Sequence, residues 1–319
     1  MDTDEFLLVR DAFRAFAERT RIASADVKPS IRAAAQEALD GLGLAELRRS
    51  SPPLATGQEC ALLAEEHGAQ PLCTSFLGTQ LLAPELLRLL DSELAGTPTI
   101  GLAADLGFPR GGSAELVGWD CEGADGALCV APDGTVTLAA LGTAVPCIDV
   151  GRSIRTVATS ATVLGRLDPA DLQRWQAFAL VMVASELVGA ARSFVAQSVE
   201  YARERRQYGQ AIGAFQAVQH LLADATVLVE AGTSATRYAA WCLDHEPPAA
   251  ALRAARVAKA EANSSTVEAI HTGMQVFGGI AQTWEHVAHL YLRKARAGAA
   301  TMATSADLLA VLAEPVGAR

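Results

Sequence analysis

The sequence predicts a mainly α protein with a small β domain in its middle, and three observations lead there. Apolar residues recur at three- and four-residue steps from Glu5 to about Leu90, composition shifts to Gly, Pro, Thr and Val between Gly96 and Gly165, and the helical period then returns almost to the end. At 319 residues, 50% of them hydrophobic, the chain is long enough to bury a core shared by two or three modules.

Residues 1–95 read as an N-terminal helical domain, on the spacing of Phe6, Leu7, Val9, Phe13 and Phe16 and again of Leu62, Leu63, Leu81, Leu82 and Leu86. Pro29, the Gly41 to Gly43 turn and Ser50 to Pro53 divide it into four or five helices. Residues 96–166 read as the small β domain. The runs Leu116-Val117, Ala127 to Val130, Thr135 to Ala139 and Arg155 to Ala158 lie between turn signals, and Pro132-Asp133-Gly134 is a hairpin turn. So short a stretch allows only a modest sheet or barrel. Residues 167–319 open on Asp168-Pro169, an N-cap followed by proline at the first helical position. Long helices are predicted over 169–204, 210–245 and 248–277, with shorter ones near 283–297 and 302–313. Gly209, Pro247-Pro248 and Gly278-Gly279 separate them, which makes an antiparallel bundle.

The formal charge of −10, from 26 basic against 36 acidic side chains, supplies no basic stripe for a phosphate backbone and excludes DNA and RNA as partners. Six cysteines without C-x-x-C spacing, and no leader ahead of the first helix, point to a reducing cytoplasm. The most apolar run, Phe178 to Ala184, is broken by Ser185 and Glu186, well short of the roughly 20 residues of a membrane span. No membrane partner is expected.

Two clusters at helix ends stand out. The first runs from Tyr201 through Arg205, Arg206, Gln207 and Tyr208 to Gly209, followed by Phe215-Gln216 and Gln219-His220. By itself it is either a basic last turn that complements the helix dipole, or an anion site in which arginine meets a phosphate while an aromatic and an amide hold an attached ring. The second is Gln275-Val276-Phe277-Gly278-Gly279, with Thr283-Trp284-Glu285 and Arg293-Lys294-Ala295-Arg296 beyond it. Its glycines either end a helix or let backbone approach a ligand closely, with Gln275 placed to hydrogen-bond it.

In this order and at this separation the two clusters resemble the C-terminal domain of the acyl-CoA dehydrogenases, flavoenzymes that desaturate acyl-CoA thioesters. That family's pattern is Y-x-x-x-R-x-x-F-G, an f-Q pair, A-D, then Q-x-x-G-G and R-D-A-[KR]. Here it is met by Tyr201, Arg205, Tyr208, Gly209, Phe215, Gln216, Ala223, Asp224, Gln275, Gly278, Gly279, Arg293, Ala295 and Arg296. Leu42-Gly43-Leu44, Ala64 to Gly68 and Pro71 are similar to the family's N-terminal helices. The resemblance implies an acyl-CoA dehydrogenase-like fold: an N-terminal helical domain, a reduced middle β domain and a C-terminal four-helix bundle. It also implies FAD as cofactor, shared at a subunit interface. Arg205, Gln207, Tyr208, Gln216, Gln275, Gly278 and Gly279 would be the cofactor-binding residues, reaching across to the FAD of a neighbour.

Departures from the family pattern fall in one functional layer. The T-E-P-x-x-G-S-D and W-I-T-N-type stretches that dock the flavin ring are not found between Gly96 and Gly165. The catalytic glutamate of Y-E-G-T-S is replaced by Met302 in Thr301-Met302-Ala303-Thr304-Ser305, and the alternative base position on the first long helix falls at Ala179. Neither side chain accepts a proton. Glu186, among Val183, Ala184, Leu187 and Val188, is a substitute candidate whose burial would raise its pKa toward a general base's range, or else it faces a partner helix or an arginine. Glu285, His286 and His289 fall at helix spacing but are too few for a metal site, so a solvated or interface face is expected.

The chain is thus similar to the short subunits of actinobacterial heteromeric acyl-CoA dehydrogenases that act on steroid side-chain CoA thioesters. The subunit so implied has no catalytic residue of its own and pairs with a full-length acyl-CoA dehydrogenase subunit as α2β2, with acyl-CoA as substrate and an electron-transferring flavoprotein as acceptor. Two alternatives remain: a self-sufficient homotetramer using an unconventional base such as Glu186, and a flavin-free scaffold or binding protein on the same fold.

Overall fold

The computed structural model describes residues 3–110 and 115–314. The first module holds α1 (Thr3–Thr20), α2 (Pro29–Asp40), α3 (Glu46–Arg49), α4 (Gly57–Gly68), a π-helical segment (Phe76–Leu82) and α5 (Ala83–Leu89). Its helix starts follow from local chemistry. Pro29 begins α2, and Thr56 with Glu59 forms a reciprocal capping box at the start of α4.

Five strands follow: β1 (Pro98–Ala103), β2 (Leu116–Trp119), β3 (Gly126–Val130), β4 (Thr135–Val145) and β5 (Ile154–Arg166). They close into a barrel in the order β1-β2-β5-β4-β3, through a parallel pairing of β1 with β3 that hairpin reasoning does not anticipate. The β3–β4 hairpin turns at the predicted place, where Gly134 takes φ +88° and the Asp133 side chain accepts from the Thr135 amide.

The C-terminal helices are α6 (Pro169–Glu204), α7 (Gln216–His245), α8 (Pro248–Phe277), α9 (Ala288–Ala300) and α10 (Ser305–Ala313). Asp168 caps α6 as expected, and Gly278 ends α8 at φ +68°. Three expected boundaries are corrected. The helix expected over 210–245 starts at Gln216, because Arg206–Gln207 (β6) and Gln210–Ala211 (β7) pair as a hairpin ahead of it. Residues 283–287 are turn rather than helix, so Glu285 and His289 do not share a helical face. The last helix starts at Ser305, where Thr304 and Asp307 make a second capping box.

Helix α6 is long and apolar enough to cross a membrane by length and composition, but 89% of its apolar window lies inside the protein. It is the core helix of the molecule. Its crossing with α4 is unusually close: a Cβ on Gly68 would sit 1.9 Å from the Glu186 carbonyl oxygen, and one on Gly189 would sit 2.0 Å from that of Glu65. The two helices touch backbone to backbone, so a methyl group at either position must push them apart. Gly68→Ala or Gly189→Ala is expected to cost about 2–3 kcal/mol and to lower the melting temperature in calorimetry, whereas Gly43→Ala, in open space at φ +66°, should cost less.

Candidate functional site

The two clusters singled out in the sequence meet at one end of the bundle. Tyr201, in the last turn of α6, and Phe277, the last residue of α8, pack with ring centroids 4.6 Å apart and ring planes tilted by 32°. Arg205 follows Tyr201 by one turn and Gly278 follows Phe277 directly. The chain between α6 and α7 is a two-residue hairpin held by the Ile212 N–H to Arg205 carbonyl bond (2.8 Å), with Tyr208 at φ +51° and Gly209 at φ +81° at its tip. A tyrosine in the left-handed region is uncommon and costs on the order of 1 kcal/mol. Its ring is 93% exposed and meets the rest of the chain only edge-on at Phe215, 6.2 Å between centroids.

Arg205, Gln207, Gln216 and Gln275 are likewise exposed, and their side chains have no polar partner among the described residues. A Cβ on Gly209, Gly278 or Gly279 would meet nothing within 4 Å. A cationic fork, three amides, an aromatic ring and open glycine backbone therefore lie exposed around the helix ends that Tyr201 and Phe277 bring together. That donor set fits the pyrophosphate and attached rings of a dinucleotide such as FAD, approached from outside the chain.

The two positions that hold the base in relatives lie elsewhere, in the apolar core. Ala179 is fully buried on α6 and Met302 is 1% exposed. Met302 has φ +68°, and both of its backbone groups are taken: its N–H donates to the Leu106 carbonyl (2.7 Å) and its carbonyl accepts from the Phe108 N–H (2.9 Å). Leu106 and Phe108 belong to the loop after β1, and Phe108 leans on Trp175 of α6, with ring centroids 5.8 Å apart. This short bridge ties the bundle to the barrel.

Of the two readings of Glu186, the structure takes the second: it faces an arginine, Arg152. It is buried as expected, but burial does not raise its pKa. Burial opposes its charge, yet Arg152 and Lys294 with the His67 hydrogen bond outweigh it and hold the carboxyl well below the usual carboxylate range. The Arg152 guanidinium donates to Glu186 Oε2 and to Asp120 Oδ1 (2.9 Å), lies 3.6 Å from Asp149, and stacks on Trp119 at 4.6 Å. Lys294 Nζ is 3.6 Å from Glu186 Oε1. Lys294 stands where the R-D-A-[KR] pattern has its acid, so the sign at that position is inverted and the new cation is matched to Glu186. The same arginine partly offsets the burial that pushes the Asp120 carboxyl up.

Sequence reasoning missed the third member. His67 Nδ1 is 2.6 Å from Glu186 Oε1, and its Nε2 is 3.2 Å from the Thr74 hydroxyl. Burial pulls His67 down to about 4, so the ring is neutral at pH 7, with Nδ1–H donating to the carboxylate and Nε2 accepting from Thr74. The order hydroxyl, imidazole, carboxylate is that of a nucleophile relay. All three side chains are at most 2% exposed, and the His67 ring lies against Phe13 and Phe76, so no substrate reaches the hydroxyl. The relay is structural. The only sequence signal for it was a polar residue on an apolar helix, and its partners lie 119 and 34 residues away. The six cysteines are free thiols, and no group of three or more potential ligands for a metal occurs among the described residues.

Residues 178–314 match the acyl-CoA dehydrogenase C-terminal domain family. The acyl-CoA dehydrogenase IpdE2 of Mycobacterium tuberculosis is 37% identical over 131 residues, 41% of this chain and 39% of that protein. The aligned stretch thus spans less than half the length of the curated relatives. Two solved structures match nearly end to end in both chains. A chain of the ChsE4-ChsE5 complex from Mycobacterium tuberculosis superposes with a TM-score of 0.77 at 17% identity, covering 100% of this chain and 99% of that one. A chain of the Tcur3481-Tcur3483 steroid ACAD does so with a TM-score of 0.72 at 19% identity, covering 97% and 96%. At these identities the structures establish the shared fold.

The ion cluster sets a pH dependence. His67 binds fewer protons folded than unfolded between its ordinary value of 6.5 and about 4, so stability falls as pH drops through that window. Below about pH 4.5 protonation of Glu186 in the unfolded chain adds to the loss. The urea midpoint should decrease between pH 6.5 and pH 4, by about 3 kcal/mol in stability, and His67→Gln should flatten that limb of the profile.

Proposed function

Because this chain belongs to the acyl-CoA dehydrogenase family, we propose that it is a non-catalytic subunit of an FAD-dependent acyl-CoA dehydrogenase, one that completes the flavin site of a full-length partner in an α2β2 assembly. The carrying observation is a separation. The residues that match the family's cross-subunit flavin contacts lie exposed at one end of the bundle, while both base positions are inert side chains in the core.

In this family bound FAD supplies hydride acceptance in the α,β-desaturation of an acyl-CoA thioester. This chain's part is to hold it. Arg205 would neutralise the pyrophosphate, and Gln207, Gln216 and Gln275 would hydrogen-bond its polar edges. Tyr208 offers a ring face, and Gly278-Gly279 allow close backbone approach. The partner supplies the base and the flavin-ring platform, and an electron-transferring flavoprotein would accept the electrons. The names of two structural neighbours give two-component assemblies, and one of them a steroid ACAD, which agrees with a heteromer and with a steroid-derived acyl-CoA as substrate. A self-sufficient enzyme draws no support from Glu186, whose carboxylate is locked ionised between two cations and a histidine.

Co-expression with a full-length acyl-CoA dehydrogenase subunit from the same genome, followed by native mass and flavin content, tests the reading. The expected product is an α2β2 complex with one flavin for each pair of unlike chains. Arg205→Ala should lose most of that flavin with little change in melting temperature, because Arg205 is exposed. Unchanged flavin content in Arg205→Ala would sink the assignment, and a colourless chain that pairs with nothing would favour the scaffold.

A further inference from the structure

Between the loop after α1 and the C-terminal half of α6 lies an open cleft of about 990 Å3, none of whose polar groups belongs to the candidate flavin surface. Its walls come from separate parts of the chain and are tied together. The Ile22 N–H donates to the Pro71 carbonyl (2.8 Å), and the Tyr291 hydroxyl of α9 donates to the Ala69 carbonyl (2.9 Å). A cleft held this way is formed before a ligand arrives. Its stretch of α6 runs from Ser193 to Glu204, roughly 16 Å at the rise of a helix. Ile22, Pro71, Val287 and the rings of Tyr201 and Phe277 line it with apolar surface.

Several polar groups in this cleft are left over. The Tyr291 hydroxyl spends its one hydrogen on Ala69, so the Gln197 amide can turn only Nε2 toward it (3.0 Å), and Nε2 also reaches Ser193 Oγ (3.2 Å). Gln197 Oε1 is thereby a fixed acceptor with no partner among the described residues. The His286 ring packs on Phe277 at 4.6 Å, and burial with the nearby His289 keeps it neutral at pH 7. Its Nδ1 accepts from the Ala288 N–H (3.2 Å), so its proton is on Nε2, a donor without a partner. Arg21 has no ion pair or hydrogen bond among the described residues, and its charge acts on Tyr291, which puts it at the Ser193 end. The other arginine on the rim, Arg203, is neutralised by Glu200 at 2.6 Å. At the far end Glu204 is exposed and unpaired among the described residues.

Each of these groups selects one feature of a ligand. A lone cation at one end of an apolar trough, on a chain of net charge −10, suits a carboxylate better than a phosphate dianion. The Gln197 acceptor midway and Glu204 beyond it select hydroxyl hydrogens, and the His286 donor can return a bond to such a hydroxyl. A plain fatty acid would cover the Gln197 oxygen and leave it unserved. A rigid ring system also loses less freedom on binding than a flexible chain. We propose that this cleft binds a hydroxylated, ring-bearing carboxylic acid, with its carboxylate at Arg21, its hydroxyls at Gln197 and His286, and its rings along Phe277 and Tyr201. Forming the cleft requires neither a partner subunit nor flavin, so it stands apart from the function proposed above.

Titration calorimetry of the full chain with cholate, kept below its micellar concentration, tests this. Cholate should bind one per chain. Laurate, which lacks rings and hydroxyls, and cholate methyl ester, which lacks the charge, should each bind roughly ten-fold more weakly or worse. Arg21→Ala should weaken cholate by about ten-fold, whereas Arg21→Lys keeps most of the affinity. Ala196→Trp, at an exposed position on the cleft wall, should block binding with the melting temperature unchanged. Absence of cholate binding would overturn the proposal, as would laurate binding as tightly as cholate. So would cholate binding that survives both Arg21→Ala and Ala196→Trp. Flavin uptake in the presence of a partner subunit can persist in each of these cases, so the two assignments fail separately.

Discussion

The interaction on which the arrangement depends is the buried cluster around Glu186. It joins four pieces that are distant in sequence: His67 from α4, Arg152 and Asp120 from the barrel, Glu186 from α6 and Lys294 from α9. Two cations face three carboxylates, and each charge is hydrogen-bonded or within ion-pair distance of its opposite. Buried ion pairs add little net stability over a well-packed apolar core, because desolvation offsets most of the attraction. Their consequence here is geometric. Removing any one charge would strand its partner in low dielectric, so barrel, first module and bundle are held to one mutual orientation. The glycine crossing of α4 and α6 is the steric complement of this lock, since His67 reaches Glu186 only because Gly68 lets the helices touch.

This constraint also separates structure from chemistry. A carboxylate on the core helix looked like a candidate base, but a base near neutral pH needs a raised pKa, and this one is held down by its neighbours. The aligned base positions, Met302 and Ala179, complete the core. The groups that remain available for chemistry are on the surface, where an arginine and three amides have no polar side-chain partner among the described residues, beside an exposed, strained tyrosine and unobstructed glycines.

Much of the fold was legible in the sequence, because it rests on local signals. The 3.6-residue period gave the helices, Asp168-Pro169 the start of α6, and Pro132-Asp133-Gly134 the β3–β4 hairpin. Local rules failed where pairing is non-local or where two local readings compete. The parallel β1–β3 closure joins segments whose connection carries no signal, and residues 206–211 could extend a helix until paired strands claim them. The candidate flavin surface was readable as a motif spread over two helix ends, and the packing of Tyr201 against Phe277 brings those two ends together. Which of its two readings Glu186 takes was not readable, because its chemistry is set by Arg152, Lys294 and His67, which no spacing rule connects to it.

The most direct test of the central claim, that this chain contacts flavin only together with another subunit, is equilibrium dialysis of FAD against the purified chain alone and against the chain mixed with its full-length partner stripped of flavin. The account predicts no stoichiometric uptake by the chain alone, and uptake by the mixture that saturates at one flavin for each pair of unlike chains. One tightly bound flavin per chain in the absence of any partner would contradict it.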